Sequence, residues 1–139
     1  MKRSGIMLLV LLAATFTAMG QNDDGDTKKK AIAEITFDTT THDFGKIPFK
    51  GDGTYTFKFE NTGNKPLILT DVRASCSCTV PVSPEKPIKP GEKGEIKVEY
   101  DTGDTRNVGK FTKYVFVHSN AKDNRVRLKI TGVLKKSEQ

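Results

Sequence analysis

Apolar and polar side chains alternate with a period of two from Glu34 onward, and this pattern more than any other limits what the chain can become. In a strand, successive side chains point to opposite faces, so alternation makes one face apolar and leaves the other wet. Tyr55, Phe57 and Phe59 alternate with Thr56, Lys58 and Glu60. Ile96, Val98 and Tyr100 alternate with Lys97 and Glu99, and Val126, Leu128 and Ile130 with Arg125, Arg127 and Lys129. From Lys110 to His118 both faces are apolar, with Tyr114 and Phe116 opposite Val115 and Val117, which predicts a central strand. Ile35–Phe37, Phe44–Ile47 and a segment through Leu67, Leu69 and Val72 complete a set of about seven strands. No stripe of helical period is long enough to cover a sheet.

The breaks between these runs are equally specific. Asn61-Thr62-Gly63-Asn64 predicts a reversal in which glycine and asparagine supply positive φ. Gly51-Asp52-Gly53 reads as another turn. The stretch Pro81–Gly91 holds Pro81, Pro84, Pro87 and Pro90, too many missing amide donors for a strand interior, and is expected to be a surface loop. The expected fold is an all-β, immunoglobulin-like sandwich of about seven antiparallel strands, with a small barrel as the alternative. Phe57, Phe59, Phe111 and Phe116 are expected in its core.

The 139-residue chain has room for one such domain once its ends are set aside. Lys2 and Arg3 precede an apolar run from Ile6 to Ala14, and Ala18-Met19-Gly20 supplies small residues, so residues 1–20 read as a signal peptide. The run is shorter than the roughly 20 residues that cross a bilayer, so no membrane span is expected in the mature chain. No cysteine near residue 20 offers a site for lipid. Residues 21–33 read as a polar, disordered leader, 34–134 as the sandwich and 135–139 as a polar tail. The expected location is therefore periplasmic or extracellular.

Removing residues 1–20 takes away Lys2 and Arg3 and no acid, so the formal charge falls from +6 to +4. Lys28–Lys30, the one run of three basic residues, is flanked by Asp23, Asp24 and Asp26 and reads as a solvated tail, so no nucleic-acid partner is expected.

Chemistry-bearing residues are few. Cys76 and Cys78, spaced i, i+2, would project from one face of an extended segment. At that separation, near 7 Å, they could bond only with strain. An inert pair, a redox pair, a soft-metal site and an intermolecular crosslink all fit this spacing. Two thiolates suit Cu(I) or Zn(II), with His42 or His118 as a third ligand. Asp101-Thr102-Gly103 matches the aspartic-protease tripeptide, but that chemistry needs two carboxylates sharing a proton, and Asp104 opposes the tuning. A turn after a strand explains it equally well. No phosphate loop, dinucleotide fingerprint or nucleophile elbow is present, so neither a catalytic residue nor a cofactor is expected.

A set of motifs ties these features together: His42-Asp43-Phe44-Gly45-Lys46-Ile47, Phe59-Glu60-Asn61-Thr62-Gly63 with Pro66-Leu67, Ser75-Cys76-Ser77-Cys78-Thr79, and Ile88-Lys89-Pro90-Gly91-Glu92. Gly109-Lys110-Phe111, Ser119-Asn120 and Leu128-Lys129-Ile130-Thr131-Gly132 follow in order. Over Ile35 to Val133 the chain resembles the bacterial family called domain of unknown function 1573. The resemblance implies an exported, immunoglobulin-like domain akin to Hydin-like and major-sperm-protein-like modules, common in bacteria of the Bacteroidetes type. It implies no reaction. The family's usual Cys-Gly-Cys-Thr stands here as Cys76-Ser77-Cys78-Thr79, and serine takes unusual backbone angles less readily than glycine. The expected role is an exported, non-enzymatic binding or scaffold module of the cell envelope with a protein partner. The alternative is thiol redox or soft-metal handling through Cys76 and Cys78.

Overall fold

A computed structural model describes residues 29–136; the expected signal peptide and most of the leader lie outside these residues. Eight strands follow in order: β1 (Ile35–Phe37), β2 (Thr41–Ile47), β3 (Thr54–Asn61), β4 (Leu69–Ala74), β5 (Thr79–Val82), β6 (Lys93–Tyr100), β7 (Gly109–Ser119) and β8 (Arg125–Leu134). A single 3₁₀ turn, Thr105–Asn107, joins β6 to β7. The strands form two four-stranded sheets, ordered β1-β3-β6-β5 and β2-β8-β7-β4. That is the immunoglobulin arrangement, with an extra edge strand on the second sheet.

The expected alternation sets which side chains fill the space between the sheets. Phe57, Phe59, Ile96, Val98 and Tyr100 come from one sheet, and Phe111, Val115, Val117, Leu128 and Ile130 from the other. β7 lies between β8 and β4, as its two apolar faces predict. Phe116 departs from expectation. It belongs to the outward set of β7, where the Arg125 guanidinium lies 4.8 Å from its ring centre.

Three further corrections have physical causes. β2 pairs with β8 in parallel, so the sandwich is not wholly antiparallel. Only three residues carry the chain from β1 on one sheet to β2 on the other, so β2 continues the run of β1 along the sandwich instead of folding back on it as a hairpin. Secondly, Pro81 lies in β5, an eighth strand where a loop was expected. Asp101 donates its amide to the Cys78 carbonyl (2.8 Å), and antiparallel alternation then aims the amides of Val80 and Val82 at β6 and those of Thr79 and Pro81 at the open edge. Proline is tolerated where an edge strand would show its donor to solvent. The Thr79 amide turns back to the Cys76 carbonyl (3.4 Å), so neither outward position of β5 presents a free donor. Thirdly, Gly63 has no positive φ; a Cβ there would lie 2.3 Å from the Ile32 carbonyl oxygen. Close approach, not backbone angle, demands glycine.

That approach is organised by Asn61, which is 0% exposed. Its Nδ2 donates to the carbonyls of Lys65 (2.8 Å) and Ile88 (2.9 Å), and its Oδ1 accepts from the Gly63 amide (3.0 Å). A fully satisfied buried amide stitches the β3–β4 turn to the segment before β6, where an unsatisfied one would cost about 1–3 kcal/mol. Packing begins before the expected boundary at Glu34: Ala33 is 1% exposed and bridges Ala121.

Candidate functional site

The least ordinary chemistry lies where the chain leaves the second sheet for the first. β4 ends at Ala74, and β5 begins at Thr79. Ser75 fixes the departure point: its amide donates to the Tyr114 carbonyl (2.8 Å), and its Oγ accepts from the Tyr114 amide (3.1 Å). The bond from the Asp101 amide to the Cys78 carbonyl fixes the arrival point. Between these anchors Cys76-Ser77-Cys78 makes a turn, not the extended segment expected. Bending brings the two cysteine Cα atoms to 5.3 Å, within ordinary disulfide range, and the two sulfurs are bonded. Ser77 needs no positive φ to do this, so replacing the family's glycine imposes no backbone penalty.

Beneath the pair lies Thr79, 3% exposed, its Oγ1 3.7 Å from Cys76 Sγ and 4.0 Å from Cys78 Sγ. Thr79 adjoins the motif in sequence, but only the change of sheet shows that its hydroxyl turns inward beneath the sulfurs. Both cysteines are half-buried and open into a depression of about 420 Å³ that also touches Asp101, Asp104, Arg106 and Lys113. Asp104 is held by Arg106, whose hydrogen bonds keep the carboxyl below its ordinary range and the guanidinium above its own.

The Asp101-Thr102-Gly103 segment is built as a turn. Asp101 Oδ1 accepts from the Gly103 amide (2.9 Å), Thr102 Oγ1 donates to the Gly51 carbonyl (2.6 Å), and the Thr102 carbonyl accepts from the Lys50 amide (2.9 Å). These bonds tie the β2–β3 connection to the end of β6. Asp104, which follows the tripeptide, is committed to Arg106 rather than to a proton shared with Asp101.

The structure does not bring either histidine to the sulfurs as a third ligand. His42, on β2, stacks against Tyr55 with ring centres 3.6 Å apart and meets Phe44 edge-on at 4.6 Å. Burial there lowers its pKa, opposed by the neighbouring Asp43 carboxylate. His118 lies on β7 opposite Asp71, four residues beyond Tyr114, roughly 13 Å along the strand. Among the described residues no three His, Cys, Asp or Glu side chains converge on a point that could hold a metal ion. Tyr100, stacked on Phe111 at 3.9 Å, has its phenol pKa raised by burial and by Asp101.

Comparison with known structures places this arrangement among similar sandwiches. A protein of unknown function from Porphyromonas gingivalis W83 superposes with a TM-score of 0.65 at 18% identity, over 81% of this chain and 51% of that one. This chain thus spans about half the length of that protein. The Vibrio cholerae VesB protease matches with a TM-score of 0.59 at 14% identity, over 72% of this chain and 32% of that one. The periplasmic chaperone SfaE matches with a TM-score of 0.52 at 12% identity, over 73% and 58%. At these identities the likeness is one of fold, and proteins of different activities share it. No curated protein matches the sequence. The family model for the proteins of unknown function DUF1573 covers residues 35–134, from β1 to the end of β8, and the chain belongs to that family.

Proposed function

We propose that this chain is an exported, non-enzymatic binding module of the cell envelope that engages a protein partner through the flank of its first sheet. The observation that carries the reading is on β5. Val80 and Val82 are 57% and 60% exposed, two residues apart, on the outer face of an edge strand. Val82 and Pro84 border an open groove whose other walls include Lys58, Lys93, Glu95 and Lys97. Exposed apolar side chains set side by side within a polar rim offer a partner a small apolar contact bounded by charge. Since the outward amides of β5 are removed or satisfied, recognition here would use side chains rather than an added strand. The periplasmic chaperone among the similar folds is in keeping with an exported binder. The test is affinity capture from envelope extracts by wild type and by the Val80→Ser/Val82→Ser variant. Partners retained by wild type and lost by the variant are expected; identical recoveries from the two proteins would overturn the proposal.

A second reading, thiol redox or soft-metal (Cu, Zn) handling, has one specific observation behind it: the bonded Cys76–Cys78 pair is half-exposed at a corner. A bonded pair offers no thiolate, so metal would bind only after two-electron reduction. Thiol labelling across graded dithiol reductants, with Cu(I) titration of the reduced protein and of Cys76→Ser/Cys78→Ser, decides it. Sulfurs that resist reduction until the fold melts, with equal Cu(I) binding by both proteins, would remove this reading.

A further inference from the structure

The outer face of the β2-β8-β7-β4 sheet carries a charge distribution that no sequence run announces. Arg125, Arg127 and Lys129 occupy alternate positions of β8 and so point to the same side, at intervals of roughly 6.7 Å. The register sets Arg73 of β4 in line with Phe116 and Arg127, Lys110 of β7 in line with Val133, and Lys46 of β2 beside Val133. Against these six cations the strands of this face show two carboxylates, which leaves it a net charge of +4. Asp71 is paired with Arg73, and Asp43 accepts from the Gly45 amide (2.9 Å).

Two of the guanidiniums are held in place by aromatic rings. Arg125 lies 4.8 Å from the Phe116 ring centre and Arg127 lies 4.9 Å from that of Tyr114. Each arginine leans diagonally by one row, since the residues directly opposite are His118 and Phe116 respectively. A guanidinium held over a ring by its charge keeps N–H donors for a bidentate oxyanion. That placement also reduces the rotamer freedom that an arginine loses on binding, and it covers rings that could otherwise have stacked on a base or a sugar.

We infer that this face is a docking surface for a bilayer rich in anionic phospholipid, with the arginine and lysine side chains meeting the headgroup phosphates. Charge complementarity argues for phosphate. The layout argues for a plane: the cations are spread over four strands, so a single anionic chain laid along β8 meets Arg125, Arg127 and Lys129 and misses Arg73, Lys110 and Lys46. A flat array of headgroups reaches all of them together. This surface is separate from the β5 flank, and its failure leaves the reading of that flank in place.

Co-sedimentation of the full chain with vesicles of phosphatidylcholine, alone or with 30 mol% phosphatidylglycerol (a composition of roughly this charge giving the surface potential), tests the inference. The N-terminal segment, apolar and carrying Lys2 and Arg3, contributes to both vesicle types, so the comparison of wild type with the two double variants isolates the charged face. Stronger partition onto the anionic vesicles is expected, falling with added salt. Arg125→Gln/Arg127→Gln should weaken that excess roughly thirtyfold, each basic residue near such a surface being worth a factor of about five. Lys86→Gln/Lys89→Gln, which removes two exposed cations from the connection between β5 and β6, should leave it nearly unchanged; melting temperatures check that both variants fold. Equal losses from the two double variants would reduce the effect to net charge and overturn the inference. So would no preference for anionic vesicles, or binding of polyglutamate or a single-stranded oligonucleotide in preference to them.

Discussion

In the β1-β3-β6-β5 sheet Gly94 lies directly opposite Phe59, and in the β2-β8-β7-β4 sheet Gly132 lies directly opposite Phe111. In each case the phenyl ring occupies the volume that a side chain on the glycine would fill: a Cβ would lie 2.3 Å from Phe59 Cζ in the first and 2.8 Å from Phe111 Cζ in the second. The insides of the two sheets are therefore built alike, while their outsides differ. On the first, cross-strand partners have opposite charge, with Lys58 opposite Glu95 (4.0 Å between the charged groups) and Glu60 opposite Lys93. On the second, the acids are few, and two of the cations, Arg125 and Arg127, lie over aromatic rings. An interior has to be close-packed to exclude water, which leaves few solutions. A solvated face is free to vary, because exposed ion pairs are worth only about 0–1 kcal/mol each. Function has room on such a face.

The sharpest test of this likeness and difference compares rings. Phe59→Ala should destabilise the fold by about 3–5 kcal/mol, whereas Phe116→Ala, on the outer face, should cost about 1 kcal/mol or less. Urea unfolding measures both, and similar losses would mean that Phe116 is core after all. Next come the glycines: Gly94→Ala should cost about 1–3 kcal/mol, more than Gly132→Ala, because its Cβ meets the ring more closely. Combining Gly94→Ala with Phe59→Leu should recover part of the loss. Simple additivity in that double-mutant cycle would show that ring and glycine are not coupled.

The bond between Cys76 and Cys78 spans the crossing from one sheet to the other but closes only a three-residue loop. Its removal in Cys76→Ser/Cys78→Ser should therefore cost about 1.6 kcal/mol on the chain-entropy model. A loss above 3 kcal/mol would mean that the bond holds the two sheets together rather than shaping one turn. The smallest effect concerns His42, which belongs to the second sheet and stacks on Tyr55 of the first. Its folded pKa lies below 6.5, so the unfolded chain takes up the proton first; stability declines as pH falls through 6.5 and stops declining below the folded value. Melting temperatures of wild type and His42→Gln between pH 8 and pH 5 should converge on the acid side. Parallel curves across that range would show that His42 does not titrate between the two states.

Residues 1–20 lie outside the described residues, and export is proposed from Lys2, Arg3 and the apolar run that follows. Within the domain, period-two alternation determined the all-β class, placed β7 at the centre of its sheet and chose the buried residues of β3, β6 and β8. Alternation does this because it states, residue by residue, which side of a strand faces the core. It carries no information about which strand lies beside which. The parallel pairing of β2 with β8, and the solvent-facing amide position that lets Pro81 sit within β5, both depend on long-range neighbours. The same limit applies to the candidate sites. Cys76 and Cys78 were visible at once, but their bond depends on a turn enforced from both ends by β6 and β7, and Thr79 beneath them depends on the change of sheet. The sequence also shows Arg73, Lys110 and Arg125 far apart. Strand pairing, which is fixed only when the sandwich closes, gathers them onto one face.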